Sequence, residues 1–218
     1  MDPLAEKYYF LSPYAYCSGN PVNFVDPDGK DIWEMDNTGN IINRIEDKEK
    51  DAFQMVEKDD DGNWQKKGDS INFEYGTFSE NDGIFFSSDE NSSADLFAFL
   101  ASSSIVEYGL IATRDFLYTV FTDGNSNKID MVKVAHGLEK KGHTIMTMVH
   151  SHPQNTIPSG FGRELINDRY IASLYSESNL HQVSHFVYFP KYDGVIQYTY
   201  KEIFKKMIPW GSSSQIFK

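Results

Sequence analysis

The run Thr144-Ile-Met-Thr-Met-Val-His-Ser-His constrains this chain more than any other segment. Its apolar and β-branched residues suit a strand, and Pro153 stops it directly after His152. Side chains two positions apart on a strand share a face, so the imidazoles of His150 and His152 can converge on one metal ion. The proline leaves that pair at the rim of a sheet instead of inside it. Catalytic zinc commonly takes three protein ligands, histidines with a carboxylate, and keeps a fourth position open. A bare His-x-His is more often two ordinary histidines flanking a turn, so its surroundings must decide.

Those surroundings read as an α+β (α/β) chain. Ala94 to Ser102 has apolar residues at 96, 97, 99 and 100 behind an Asn/Ser cluster, which predicts a capped helix. Val106-Glu-Tyr-Gly-Leu-Ile-Ala and Phe116-Leu-Tyr-Thr-Val-Phe-Thr predict strands, Leu165 to Ser176 a helix, and Ser184–Phe189 with Val195–Tyr200 a hairpin around Asp193-Gly194. Upstream, Ile32 to Ile42 and Phe53 to Trp64 each read as strand, Asx/Gly turn and strand, with Glu80 to Ser93 a loop. Asp59, Asp61 and Asn63 beside Gly62 have calcium-loop spacing, but the twelfth position is Ser70, so the stretch is read as a turn. The organisation is therefore 1–30, an irregular Pro- and Tyr-rich segment; 31–93, an acidic hairpin-rich region; and 94–218, the part with the chemistry.

Charge divides along similar lines. Residues 26–95 hold 20 of the 32 acids and 7 of the 20 bases, leaving the rest of the chain at +1. A net charge of −12 without a basic cluster argues against a general nucleic-acid binder. The single cysteine, Cys17, excludes an internal disulfide framework, and 16 Phe with 13 Tyr supply a core. No apolar run approaches the ~20 residues of a membrane span. Asp2, Glu6 and Lys7 leave no room for a secretory signal in the first ten residues.

Two families are suggested by motif. Asp2-Pro-Leu-Ala-Glu-Lys-Tyr-Tyr, Ser12-Pro-Tyr-Ala-Tyr-Cys and Asn20-Pro-Val-Asn-Phe-Val-Asp-Pro-Asp-Gly resemble the end of the Rhs/YD-repeat core. That family often has Leu after the Gly, where this chain has Lys30. The resemblance implies that the residues after Gly29 form a variable C-terminal toxin module, and that this chain is a detached or truncated tail. His150-Ser-His-Pro153 with Ser159 downstream resembles the JAB/MPN (JAMM) metallopeptidase motif, H-x-H-P, a spacer, then S-x-x-D. The motif aspartate should stand at 162, which is Gly; Asp168 is its nearest counterpart followed by a helical run, with Glu164 as the alternative. Ser104-Ile-Val-Glu-Tyr-Gly-Leu-Ile-Ala looks like the family's upstream glutamate strand. The resemblance implies a cytidine-deaminase-like mixed sheet flanked by helices, preceded here by the hairpin region. It also implies Zn2+ held by His150, His152 and Asp168, with Glu107 as general base and Ser159 as donor to the oxyanion. His136, His143, His181 and His185 have no partner at ligand spacing and are read as surface or satisfied structural residues.

The resulting expectation is a zinc peptidase or isopeptidase, the toxin module of an Rhs-type bacterial polymorphic toxin, with a protein substrate and a cognate immunity protein. Neither nucleic acid nor membrane is an expected partner. Such a toxin is made in the bacterial cytoplasm and delivered to a target cell. Two rivals remain: a metal-dependent nuclease toxin, and a non-catalytic MPN-like binding module. Zinc stoichiometry separates the last from either enzyme.

Overall fold

The two upstream turns are built by one device. Asp36 Oδ1 accepts from the backbone N–H groups of Thr38 (2.8 Å) and Asn40 (3.0 Å), and Asp59 Oδ1 from those of Asp61 (3.1 Å) and Asn63 (2.8 Å). Gly39 and Gly62 supply the left-handed residues, with φ of 82° and 85°. The acidic residues at 59–63 thus form a hairpin turn.

The computed structural model describes residues 31–46, 51–73, 76–79, 83–126, 128–154, 168–176, 183–211 and 216–217. The segment resembling the Rhs core lies outside them. Around the two turns run β1 (Asp31–Met35), β2 (Ile41–Glu46), β3 (Ala52–Lys58) and β4 (Trp64–Asn72), a sheet of order β2-β1-β3-β4. Its β1–β3 pair is parallel and the others antiparallel.

The second sheet has eight strands: β5 (Thr77–Ser79), β6 (Ile84–Ser87), β7 (Tyr108–Thr113), β8 (Tyr118–Thr122), β9 (Ile145–Ser151), β10 (Ser184–Phe189), β11 (Gly194–Tyr198) and β12 (Ile203–Pro209). Their order is β12-β11-β10-β9-β7-β8-β6-β5. Only β9 and β10 run parallel, so the sheet is mixed. The described helices are α1 (Glu90–Ser103), α2 (Met131–Lys140) and α3 (Asp168–Ser176).

Strand alternation splits the core between the two faces of this sheet. Leu110, Val120, Val149 and Phe186 pack with Leu96, Phe97 and Leu100 of α1. Trp33, Phe53 and Phe73 of the smaller sheet join the same cluster, stacked ring on ring. The next residues along, Ile111, Phe121 and Met148, face the other way onto Met131, Ala135 and Leu138 of α2. The chain is α+β, with helices on both faces of its larger sheet.

Several local readings differ from the structure. The expected loop 80–93 contains β6 and the start of α1. Ile84-Phe-Phe pairs with β8, and Asp89, accepting from Ser92 N–H at 2.7 Å, caps the helix, so the Asn/Ser cluster is its first turn and not its cap. Strand β7 begins at Tyr108, not Val106. Helix α2 was not anticipated, because only Met131, Ala135 and Leu138 mark its buried stripe. Among the described residues no helix is long and apolar enough to cross a membrane.

Two glycines make opposite predictions. A Cβ on Gly109 in β7 would stand 2.6 Å from the Phe121 ring and 2.7 Å from Met131 Sδ, whereas one on Gly137 in α2 meets nothing within 4 Å. Gly109→Ala is expected to cost about 1–3 kcal/mol by overpacking. Gly137→Ala should gain about 0.5–1 kcal/mol by restricting the unfolded chain and favouring helix. Urea denaturation of the two variants checks both signs.

Candidate metal centre

Strand β9 ends as its sequence requires, with His150 and His152 on one face and Ser151 on the other. His152 lies just past the strand but keeps a sheet bond, its N–H donating to Tyr188 O at 2.9 Å. Ser151 ties β9 to β7: its Oγ accepts from Tyr108 N–H at 2.9 Å. Helix α3 supplies the carboxylate. Asp168, Ala172 and Tyr175 are its buried residues at i, i+4 and i+7, so Asp168 shares the stripe that packs on the sheet.

The structure brings these three side chains together. His150 Nε2 stands 3.1 Å from His152 Nε2 and 3.1 Å from Asp168 Oδ1, and His152 Nε2 is 3.6 Å from Asp168 Oδ2. Two ligands about 2.0–2.1 Å from a tetrahedral zinc stand roughly 3.3 Å apart. The observed separations bracket that value, and the donor set of two imidazoles and a carboxylate is one that zinc accepts in open catalytic sites. The group could hold a metal ion.

Glu107 faces the same region. It precedes β7 and is two residues from Gly109, which lies opposite His150 in the β7–β9 register. Its backbone is fixed on both sides: the N–H donates to Asn125 O at 2.8 Å, and Thr122 Oγ1 donates to its carbonyl at 2.7 Å. The residue is 6 % exposed. Burial pushes its carboxyl up to about 7, with Asp168 and Asp123 adding to the rise and His150 opposing it. Burial acts to lower the His150 pKa, yet Asp168 beside it carries it above its ordinary value, helped by Glu107.

Ser159 and the alternative ligand Glu164 lie outside the described residues. Two further side chains belong to this environment and were missed. Tyr198 on β11 is buried edge-on to His150, with ring centroids 6.2 Å apart. Burial, and then the Asp168 and Glu107 carboxylates, hold its hydroxyl well above the usual range, so it stays neutral. His185, read as surface or satisfied, is 3 % exposed, and among the described residues neither ring nitrogen has a hydrogen-bond partner. Burial, with the His150 charge, pushes its pKa down to about 4, so it is a neutral imidazole beside Tyr198. The Ser184–Phe189 alternation could have shown it facing inward, since Phe186 and Tyr188 take the other face. Of the remaining histidines, His143 pairs with Asp115 at 2.7 Å and His136 is exposed, while His181 is outside the described residues.

The raised Glu107 pKa sets a pH dependence for the metal-free protein. Between about 4.5 and about 7 the folded chain retains a proton that the unfolded chain has lost, so folding becomes less favourable as pH rises through this window. Stability from this group is fully present below the lower value and lost above the upper one. Gln at 107 has no such proton. Glu107→Gln should therefore match the wild type near pH 4.5 and exceed it at pH 8, by on the order of 2–3 kcal/mol. Denaturation in the presence of a chelator at both pH values measures the difference.

Residues 85–179, from β6 through α3, match the model of a family described as JAB-like toxin 1. The matched stretch takes in Glu107, His150, His152 and Asp168. The chain matches no curated protein and no solved structure. The family match, together with the mixed sheet flanked by helices, supports a JAB/MPN-like toxin domain over residues 85–179.

Proposed function

We propose that this chain is a zinc-dependent peptidase or isopeptidase, the C-terminal toxin module of an Rhs-type bacterial polymorphic toxin. The observation that carries the reading is the meeting of His150, His152 and Asp168 beside a buried glutamate. Zinc, when held by these three residues, supplies a Lewis acid that polarises a carbonyl and acidifies water towards a pKa of about 7.

The chain's own residues would do the rest. Glu107 takes a proton from the attacking water on its carboxylate, then delivers it to the amine nitrogen as the C–N bond breaks. A carboxyl displaced towards 7 is suited to both halves of that transfer near neutral pH. Tyr198, Phe189 and Ala172 line the site with apolar surface, which limits water there and strengthens each electrostatic contact. Ser159 donates to the oxyanion of the tetrahedral intermediate. The near-neutral charge outside residues 26–95 favours a protein substrate over nucleic acid. A toxin of this kind requires a cognate immunity protein in the cell that makes it, and a delivery route to its target.

Metal analysis and growth arrest of expressing bacteria test the reading together. The wild type should carry one zinc per chain. The His150→Ala/His152→Ala variant and Asp168→Ala should lose it, while Glu164→Ala keeps it. Glu107→Gln should hold zinc as the wild type does, yet lose roughly 10²–10⁴ in hydrolytic rate and no longer arrest growth. Equal zinc in the wild type and the double-histidine variant would remove the metal centre. A Glu107→Gln chain that still arrests growth would remove the mechanism, and degradation of DNA or RNA by the wild type would replace peptidase with nuclease.

A further inference from the structure

Glu107 stands one residue before β7, where the β7–β9 ladder has not yet begun, so its position depends on what holds residues 105–108. Asn125, Thr122 and Ser151 supply part of that hold, and the smaller sheet adds to it. Ile105 N–H donates to Asn37 O at 2.8 Å, in the β1–β2 turn. The Tyr108 hydroxyl donates to Met35 Sδ, at the end of β1, at 3.1 Å. Gly39, at the tip of the turn, is so close that a Cβ there would lie 3.1 Å from Thr122 Cγ2, 3.2 Å from Tyr108 Oη and 3.5 Å from Val106 Cγ2. Thr122 is the residue that bonds the Glu107 carbonyl.

Alternation explains the arrangement. Val106 and Tyr108 turn into the cluster that contains Met35, so Glu107 between them turns to the opposite face, where the histidines are. The ligands come from other elements, β9 and α3. We propose that the β1–β2 turn, Asp36–Asn40, is a positioning device for Glu107, supplied by a sheet outside the stretch that matches the toxin family. The inference rests on reading Glu107 as the general base. It makes placement of the base separable from binding of the metal, and it makes the hairpin region part of the working enzyme.

The test uses the full chain with two substitutions in the turn, neither at a metal ligand. Gly39→Ala forces a Cβ against Thr122 and Tyr108 in a left-handed conformation. Asp36→Ala removes the carboxylate that gathers Thr38 and Asn40, without touching β7. Asp36→Asn keeps an acceptor in place and serves as the rescue.

In both alanine variants amide exchange at Ile105 and Glu107 should quicken at least tenfold, with Val149 of β9 and Val187 of β10 at wild-type rates. Zinc content should equal that of the wild type, growth arrest should weaken at least tenfold, and Asp36→Asn should behave as wild type. Should Gly39→Ala fail to fold, Asp36→Ala decides alone. Wild-type exchange at Ile105 and Glu107, acceleration spread equally to Val149 and Val187, or undiminished growth arrest with loosened amides would each overturn the proposal. A wild type that holds no zinc or does no harm would instead overturn the peptidase reading, and the exchange rates would still judge the brace.

Discussion

The antiparallel pairing of β7 with β9, Gly109 opposite His150, is the constraint on which the site depends. A slip of one residue in a strand exchanges its two faces. Here it would send Glu107 to the α1 side and Val106 to the histidines. The register is held by a bond that sits within the motif itself: Ser151, between the two histidines, turns to the opposite face and accepts the Tyr108 N–H. It is also held by sterics, because only glycine at 109 leaves room for Phe121 and Met131. The residue between the two histidines is thus as much a part of the site as they are.

The electrostatics of the centre point to a cation. Asp168 and Glu107 are both 6 % exposed, a burial that charged carboxyls reach only when compensated. Part of that compensation comes from the imidazoles. The Asp168 carboxylate lies within 4 Å of both imidazoles, the two Nε2 atoms face one another at 3.1 Å, and Glu107 is pushed towards its neutral form. A divalent cation among these groups would satisfy both nitrogens at once and offset the carboxylate charge. The features that cost folding energy in the bare chain are the ones such a centre needs.

Much of this was legible from the sequence because local chemistry wrote it plainly. The Asx/Gly turns fixed the hairpins, Pro153 ended β9, and period-two alternation put His150 and His152 together. The stripe 168, 172, 175 would have placed Asp168 against the sheet, once α3 was known to begin there. What escaped notice depended on partners distant in sequence. Helix α2 has too few apolar residues to declare itself, and it exists because Phe121, Ile129 and Ile145 cover it. The Ile84-Phe-Phe run reads as loop until β8 is beside it. His185 and Tyr198 enter the environment of His150 only through the register of β9, β10 and β11, where Met148, His185 and Tyr198 stand in a row.

The acidic composition of the first half conceals an apolar interior. Strand β3 buries Ala52 through Val56, and Trp33, Phe53, Phe73, Phe78 and Phe85 form a chain of ring contacts between the two sheets. Charges such as those of Asp59–Asp61 and Lys66–Lys67 occupy the turn and the exposed strand β4. Net charge therefore records only the solvent side of this region, and the aromatic residues determine its place in the fold. Those rings fill the face opposite His150, His152 and Asp168. The sheet they anchor can therefore reach the strand that carries Glu107 from behind, leaving the front of the site to the helices and to whatever enters it.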